Sequence, residues 1–407
     1  MVLEQCTRSV WKPFWGGVLV ALAAVLMSGA AGARQATLER VTVAAGWMPG
    51  SATRVTFEVS ADVPLAIYTA AGPDRIAIDL EGVSSAGVIL SHPEGQIADV
   101  RAGWIAPGTT RVLLTLRRPA KVARVERSTV DGVTEVGLVL AEMDRAAFDA
   151  RAQGDAARWP APRKPRLSVS GAPTQPLVML DPGHGGVDPG AIREEVAEKD
   201  IALTFATEFA AALLSSGRYR VALTRETDVY VGLRDRVSLA REAGADVFLS
   251  LHANTVTVGS VQGAAVYTLS DTASDGEAAA LAALENGADF FGTPDGGAGE
   301  SDVTRVLLDL ARAETDTRSR TLARAMVPAL AQTAGIVPRN PHKSAGFRVL
   351  KAPDIPSVLV ELGVLSDAAD RRRMQSPVWR ALAIEGLIDA LDAWTIEDAQ
   401  MRARARQ

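Results

Sequence analysis

Between Ala36 and about Met143 the chain alternates apolar and polar residues in short runs, the period of strands with one buried face. The clearest runs are Val41–Ala44, Arg54–Val59, Leu65–Thr69, Arg75–Leu80 and Arg111–Leu116. Ala71-Gly72-Pro73-Asp74, Pro107-Gly108 and Asp131-Gly132 punctuate them with residues suited to tight turns. An internal echo runs through this region. Thr53-Arg54-Val55 opens a block that ends in Ile76-Ala77-Ile78-Asp79-Leu80, and Thr110-Arg111-Val112 opens one that ends in Glu135-Val136-Gly137-Leu138-Val139-Leu140. A small duplicated all-β sandwich over residues 36–143 is the economical reading.

Residues 144–175 hold Pro160, Pro162, Pro165 and Pro173 among Ala, Arg, Ser and Gly, and sustain no apolar period. They read as a helical stub followed by a flexible linker. From Pro176 the period changes. Leu177–Leu180, Tyr219–Thr224, Val247–Leu251 and Ser357–Glu361 are short apolar strands. Helices are expected over Glu198–Ser215, where Ile201, Phe205, Phe209 and Leu213 recur on one face, and over about Leu233–Ala243 and Ala368–Trp394. Strands alternating with helices predict an α/β domain over 176–395, a twisted mixed sheet flanked by helices. Residues 396–407 are expected to be a frayed basic tail.

Composition fits this picture. A chain of 407 residues that is 47 % hydrophobic and 22 % charged has the make-up of globular protein, with length for roughly two to three domains. Its start adds an export signal over residues 1–33. Arg8 and Lys12 precede the apolar run Phe14–Met27, and Ala31-Gly32-Ala33 offers a small-x-small cleavage site near Ala33. An uncleaved anchor is the alternative, but the run falls short of the roughly 20 residues that span a bilayer. Removing Arg8 and Lys12 against Glu4 makes the mature chain more acidic than the full chain's −5, which argues against nucleic acid as a partner. The one cysteine, Cys6, leaves with the signal, so any metal site must use His and carboxylates.

The candidate chemistry lies at strand ends of the second region. Asp181-Pro182-Gly183-His184-Gly185-Gly186 follows a strand directly, and its glycines let the backbone approach a ligand. Glu198 opens a helix, His252 ends Val247–Leu251, and Glu361 ends Ser357–Val360. Taken singly, each could be a hydrogen-bonded or solvated terminus. Together they converge on one rim of an α/β sheet, and two imidazoles, a carboxylate and an open position are the ligand set of a hydrolytic zinc. Zinc lowers the pKa of water to about 7, and a nearby carboxylate can take a proton and return it to a leaving amine.

These segments, with Glu198-Lys199, Thr224-Arg225, Ser250-Leu251-His252-Ala253-Asn254 and Pro356–Glu361, resemble the zinc-dependent N-acetylmuramoyl-L-alanine amidases over roughly Pro176–Trp394. The β-region is similar to the AMIN domain that precedes such amidases in Gram-negative cell division, on the duplicated Thr-Arg-Val blocks and Pro73-Asp74-Arg75-Ile76. The resemblance implies one Zn2+ held by His184, Glu198 and His252, with Glu361 catalytic. It implies hydrolysis of the amide between N-acetylmuramic acid and L-alanine in peptidoglycan. It also implies a periplasmic enzyme at the division site, with the β-domain meeting the septal wall or the division machinery.

An insertion at 274–313 separates His252 from Glu361. On a helix, Leu281, Leu284, Ala288 and Phe291 share a face, and both Glu277 and Glu285 fall within its arc. A carboxylate there is costly unless paired or bound to metal. In the division amidases a helix at this place plugs the site with a glutamate matching Glu285, and a LytM-type activator removes it. Periodicity alone does not choose between Glu277 and Glu285, and an ordinary surface helix is the alternative. Asn254 and Arg225 are expected either to position substrate or to brace the ligand strands. His342 is expected in an exposed loop, and His92 receives no function. Two other classes compete: a wall-binding adaptor that keeps the fold, and a zinc peptidase using the same ligands.

Overall fold

The computed structural model describes residues 35–46, 52–160, 162, 164–254, 262–292, 302–333, 335 and 340–405. The expected export signal with Cys6 lies outside the described residues, as do residues 293–301 of the insertion and the side chain of Asn254. Among the described residues no helix is long and apolar enough to cross a membrane.

The first region is all strand: β1 (Ala36–Ala45), β2 (Thr53–Val59), β3 (Leu65–Ala70), β4 (Arg75–Glu81), β5 (Val83–Ser84), β6 (Ile89–Leu90), β7 (Ile97–Ala106), β8 (Thr109–Leu116), β9 (Ala120–Val130) and β10 (Val133–Glu142). One sheet runs β5-β1-β2-β10-β9 with β6 beside β1, and the other runs β3-β4-β8-β7. The echo in the sequence becomes a geometry. Thr53 of β2 faces Leu140 of antiparallel β10, and Thr110 of β8 faces Leu80 of antiparallel β4. The opening strand of each block therefore pairs with the closing strand of the other, so the duplication interlocks into one sandwich. Its core is filled by the inward set of the alternation, including Val55, Phe57, Ile76, Ile78, Val112 and Leu138.

The outward positions of β4 and β8 are buried too. Ala77 and Leu113 pack with Ile105, Trp159, Val187 and Tyr230, so this face of the sandwich lies against the second region. The helical stub is α1 (Arg145–Ala156), capped by the Asp144 side chain accepting from Ala147 N at 2.9 Å. The expected flexible linker behind it is partly docked: Trp159 is buried, and β11 (Val169–Ser170) pairs with an edge strand of the second sheet.

The second region comprises β12 (Leu177–Pro182), β13 (Ile192–Arg193), β14 (Val196–Ala197), α2 (Glu198–Ser215), β15 (Arg220–Leu223), α3 (Leu233–Ala243), β16 (Val247–Asn254), β17 (Ala265–Leu269), α4 (Gly276–Asn286), α5 (Asp289–Gly292), α6 (Asp302–Thr333), β18 (His342–Ala345), β19 (Ser357–Val364), α7 (Ala368–Gln375) and α8 (Pro377–Ala405). Its seven-stranded mixed sheet has the order β11-β15-β12-β16-β19-β17-β18. The central strands read as continuous apolar runs because both faces are covered. Phe205, Phe209, Met326 and Leu387 from α2, α6 and α8 fill one side. Leu233, Ala240, Ala278 and Leu281 from α3 and α4 fill the other.

Three expectations change. The single helix over 368–394 is two, because Pro377 has no amide donor and biases Ser376 to extended backbone (φ −80°, ψ 120°). The tail expected to fray over 396–407 continues α8 to Ala405, anchored by buried Asp398, whose Oδ2 accepts from Arg318 Nη2 at 3.0 Å. His342 is no exposed loop residue: it opens β18, is half-buried, and its Nε2 lies 3.1 Å from Thr268 Oγ1.

Candidate active site

The rim of the sheet collects the sequence's candidates. His184 follows β12 with φ 58°, a left-handed backbone that a residue with a Cβ adopts only under constraint. Arg236 of α3 supplies the constraint, donating to Pro182 O at 2.7 Å and His184 O at 2.6 Å. Arg236 is itself set by Asp181 at 2.7 Å, which also accepts from Thr224 Oγ1 and Ser250 Oγ. Burial would raise the Asp181 carboxyl, but the Arg236 charge and these hydroxyls outweigh it and hold it below its usual range.

The two imidazoles stand edge to face, with ring centroids 4.8 Å apart. Gly183 is required beneath them, because a Cβ there would lie 2.4 Å from His252 Cε1. Glu198, first residue of α2, has its Oε1 3.1 Å from His184 Nε2 and 3.0 Å from His252 Nδ1. The Ala253 and Ala191 amides donate to its two oxygens, each at 3.0 Å, and fix the carboxylate's orientation. Glu285 closes the fourth side. Its Oε2 is 3.4 Å from His184 Nε2 and 3.2 Å from His252 Nδ1. The four residues are buried and their ligand atoms lie within 4.8 Å of one another, a cluster that could hold a metal ion. Glu361 stands in direct register with His252 on the neighbouring parallel strand, so both side chains leave the sheet on the same side.

The donor set fits a metal by its chemistry. His184 Nδ1 is engaged by Asp188 at 2.8 Å, while Nε2, aimed at the cluster, is buried without a hydrogen-bond partner among the described residues. A carboxylate on the far nitrogen is the arrangement that fixes the tautomer of a metal-binding histidine. Charges respond accordingly. Burial would lower His184, but Asp188, Glu198 and Glu285 hold it well above its ordinary value. Burial would raise Glu198, but the two histidines hold it well below its usual range. Glu285 is raised, by burial first and then by Glu198 and Asp188, against the pull of the histidines.

The remaining candidates separate. Glu277 does not reach the site; its carboxylate pairs with Lys343 at 2.6 Å. Leu284, expected on the apolar face with Glu285, is 60 % exposed, because α4 turns the stripe of Ala278, Leu281, Ala282 and Glu285 inward. Arg225 is buried and gives its donors to Pro182 O, Gly183 O, Thr227 O and Lys199 O, bonds that brace the loop around His184. Burial lowers its pKa to about 10. For Asn254 the backbone alone is described, opposite Val364. Sequence reasoning missed Asp188 and Arg236. Asp188 left a trace, a fourth acid spacing after His184 in a Gly-rich loop; Arg236 left none.

A cavity of about 240 Å³ abuts the cluster, lined by His184, Asp188, Glu198, Glu285 and Phe291, and also by Arg101 of the β-domain.

Comparison with known proteins identifies the family of both regions. The family described as N-acetylmuramoyl-L-alanine amidase matches residues 178–393, and the AMIN domain matches residues 46–141. The chain is 30 % identical over 407 residues to the N-acetylmuramoyl-L-alanine amidase AmiC of Neisseria meningitidis serogroup B, covering 93 % of this chain and 94 % of that protein. It is 28 % identical over 389 residues to AmiC of Escherichia coli O6:H1, covering 91 % of this chain and 93 % of that protein. To AmiA of Escherichia coli K12 it is 34 % identical over 247 residues, which is 59 % of this chain and 84 % of that protein. With both domains matched in order and the candidate site inside the second match, the chain belongs to the N-acetylmuramoyl-L-alanine amidase family and carries an AMIN domain ahead of its amidase domain.

Proposed function

We propose that the protein is a zinc-dependent, autoinhibited peptidoglycan amidase. It cleaves the amide between the lactyl group of N-acetylmuramic acid and L-alanine of the stem peptide. It is exported to the periplasm with its signal removed near Ala33, and acts in wall remodelling and daughter-cell separation. Residues 36–143 form the domain that meets the septal wall or the division machinery, and residues 176–395 the catalytic domain.

The observation that carries this reading is the buried His184–Glu198–His252 cluster with Glu361 in register beside it. These three residues would hold one Zn2+, which when bound supplies Lewis acidity at the scissile carbonyl and lowers the pKa of water to about 7. The chain's own groups do the rest. With Asp188 accepting from Nδ1–H, His184 would turn its Nε2 lone pair to the ion. The Ala253 and Ala191 amides hold Glu198 in place. Glu361 takes the proton from the attacking water and passes it to the departing alanine amine.

Glu285 is the proposed inhibitor. Its carboxylate stands against both histidines from a helix that shuts the substrate side of the site. A LytM-type activator would lift that helix. The test is Glu361→Ala: zinc stays stoichiometric by metal analysis while release of stem peptides from purified sacculi is lost. Undiminished release in that variant overturns the assignment.

A further inference from the structure

The segment carrying Glu285 is held from both domains. On the catalytic side, Tyr230 donates its hydroxyl to Ala288 O at 2.9 Å, and Asp289 accepts from Leu233 N at 2.9 Å. Beyond that the chain presents three successive carbonyls, and all three point to groups outside the catalytic domain. Arg75 of β4 donates to Phe290 O. Arg111 of β8 lies 3.3 Å from both Phe291 O and Gly292 O. Trp159, between the domains, donates its indole N–H to Gly292 O at 2.8 Å. Carbonyls at a helix end have no intrahelical partner, so these donors satisfy groups that would otherwise be orphaned.

The donors are themselves rigid. Arg111 is wholly buried and bound by both oxygens of Asp79, at 2.7 and 2.8 Å, and it lies over the Trp159 ring. The β-domain that carries the two arginines abuts the catalytic domain closely. Tyr230 N donates to Trp104 O at 3.0 Å. Gly103 is close enough to the Gly186 loop that a Cβ would fall 2.1 Å from the Gly186 carbonyl carbon. Lifting the Glu285 helix therefore requires breaking four contacts made by three buried side chains, or moving the β-domain with it.

We propose that the outer face of the β3-β4-β8-β7 sheet is the docking surface for the inhibitory segment of its own chain. The β-domain is thus a latch on the active site as well as a targeting module. This rests on the reading of Glu285 as inhibitory. Because opening and undocking share these contacts, a ligand that binds the undocked β-domain better than the docked one shifts the chain towards the open state by the ratio of its two affinities.

The test uses the full chain with three variants: Trp159→Phe, the paired Asp79→Asn/Arg111→Gln, and Glu285→Ala. The first removes the indole donor and keeps a ring. The second removes the carbonyl contacts without leaving a buried unpaired carboxylate. Basal cleavage of sacculi should rise in all three, on the order of tenfold in Trp159→Phe, the equivalent of one hydrogen bond from a buried donor. Amide hydrogen exchange over 276–292 should speed up in the first two, with exchange in β1 and β2 unchanged. If Glu285→Ala raises the rate while both latch variants keep parental rate and exchange, the latch is wrong and the inhibitory reading stands. If Glu285→Ala leaves the rate unchanged, the inhibitory reading falls and the latch with it. Should the paired variant fail to fold, Trp159→Phe decides alone.

Discussion

Replacing Asp188 tests whether the cluster is built for a metal. Its carboxylate oxygen lies 2.8 Å from His184 Nδ1, and both side chains are buried, at 3 % and 7 % exposure. A hydrogen bond to a charged group contributes roughly 1.5–3 kcal/mol, against about 0.5–1.5 kcal/mol for a neutral pair. Asp188→Asn keeps the shape and an acceptor but loses the charge, a deficit of about 1–1.5 kcal/mol. With each 1.4 kcal/mol worth a factor of ten, zinc affinity should fall about tenfold. Asp188→Ala loses the whole bond and frees the ring to turn, so its loss should reach roughly 10–100-fold, the range found for outer partners of metal-binding histidines. Competition for zinc against a chromogenic chelator reads both, with circular dichroism to confirm the fold. An Asn variant within twofold of the parent, or an Ala variant no weaker than the Asn, would refute the idea that Asp188 sets the tautomer of His184.

Two further predictions concern the loop that holds His184. Gly183→Ala puts a methyl 2.4 Å from the His252 ring, which Glu198 pins on the other side, so zinc binding and turnover should both collapse while overpacking costs stability by roughly 1–3 kcal/mol; parental zinc stoichiometry would contradict this. Asp181 has its folded pKa held below the unfolded value of about 3.9, so its stabilisation is present at neutral pH and is lost as pH falls through the folded value. Asp181→Asn should flatten the acid limb of stability in urea titrations below about pH 4, and cost roughly 3–5 kcal/mol at pH 7 by leaving Arg236 buried and unpaired; an unaltered acid limb would refute it.

The sequence by itself determined the architecture and picked out the residues that gather in the candidate cluster. Period two before Met143 and apolar runs between helices after Pro176 encode which residues face a core, because that choice is local and repeats along the chain. The Gly-flanked His184, Glu198 at a helix start, and His252 and Glu361 at strand ends were legible for the same reason: strand ends of an α/β sheet share one rim. The tertiary structure decided what depends on contacts between distant segments. Glu277 and Glu285 lie on one helical arc, and only the tertiary structure separates their surroundings: Glu277 pairs with Lys343, 66 residues away, while Glu285 stands against the histidines. The sequence does not show that four backbone carbonyls take up the Arg225 guanidinium. Burial on the outer face of β4 and β8 looked like ordinary alternation, since an outward Arg75, Asp79 or Arg111 reads as solvated. Docking against the catalytic domain turned those positions into a buried grip on carbonyls 290–292. Periodicity records which face of an element is covered; it carries no information about which remote segment covers it.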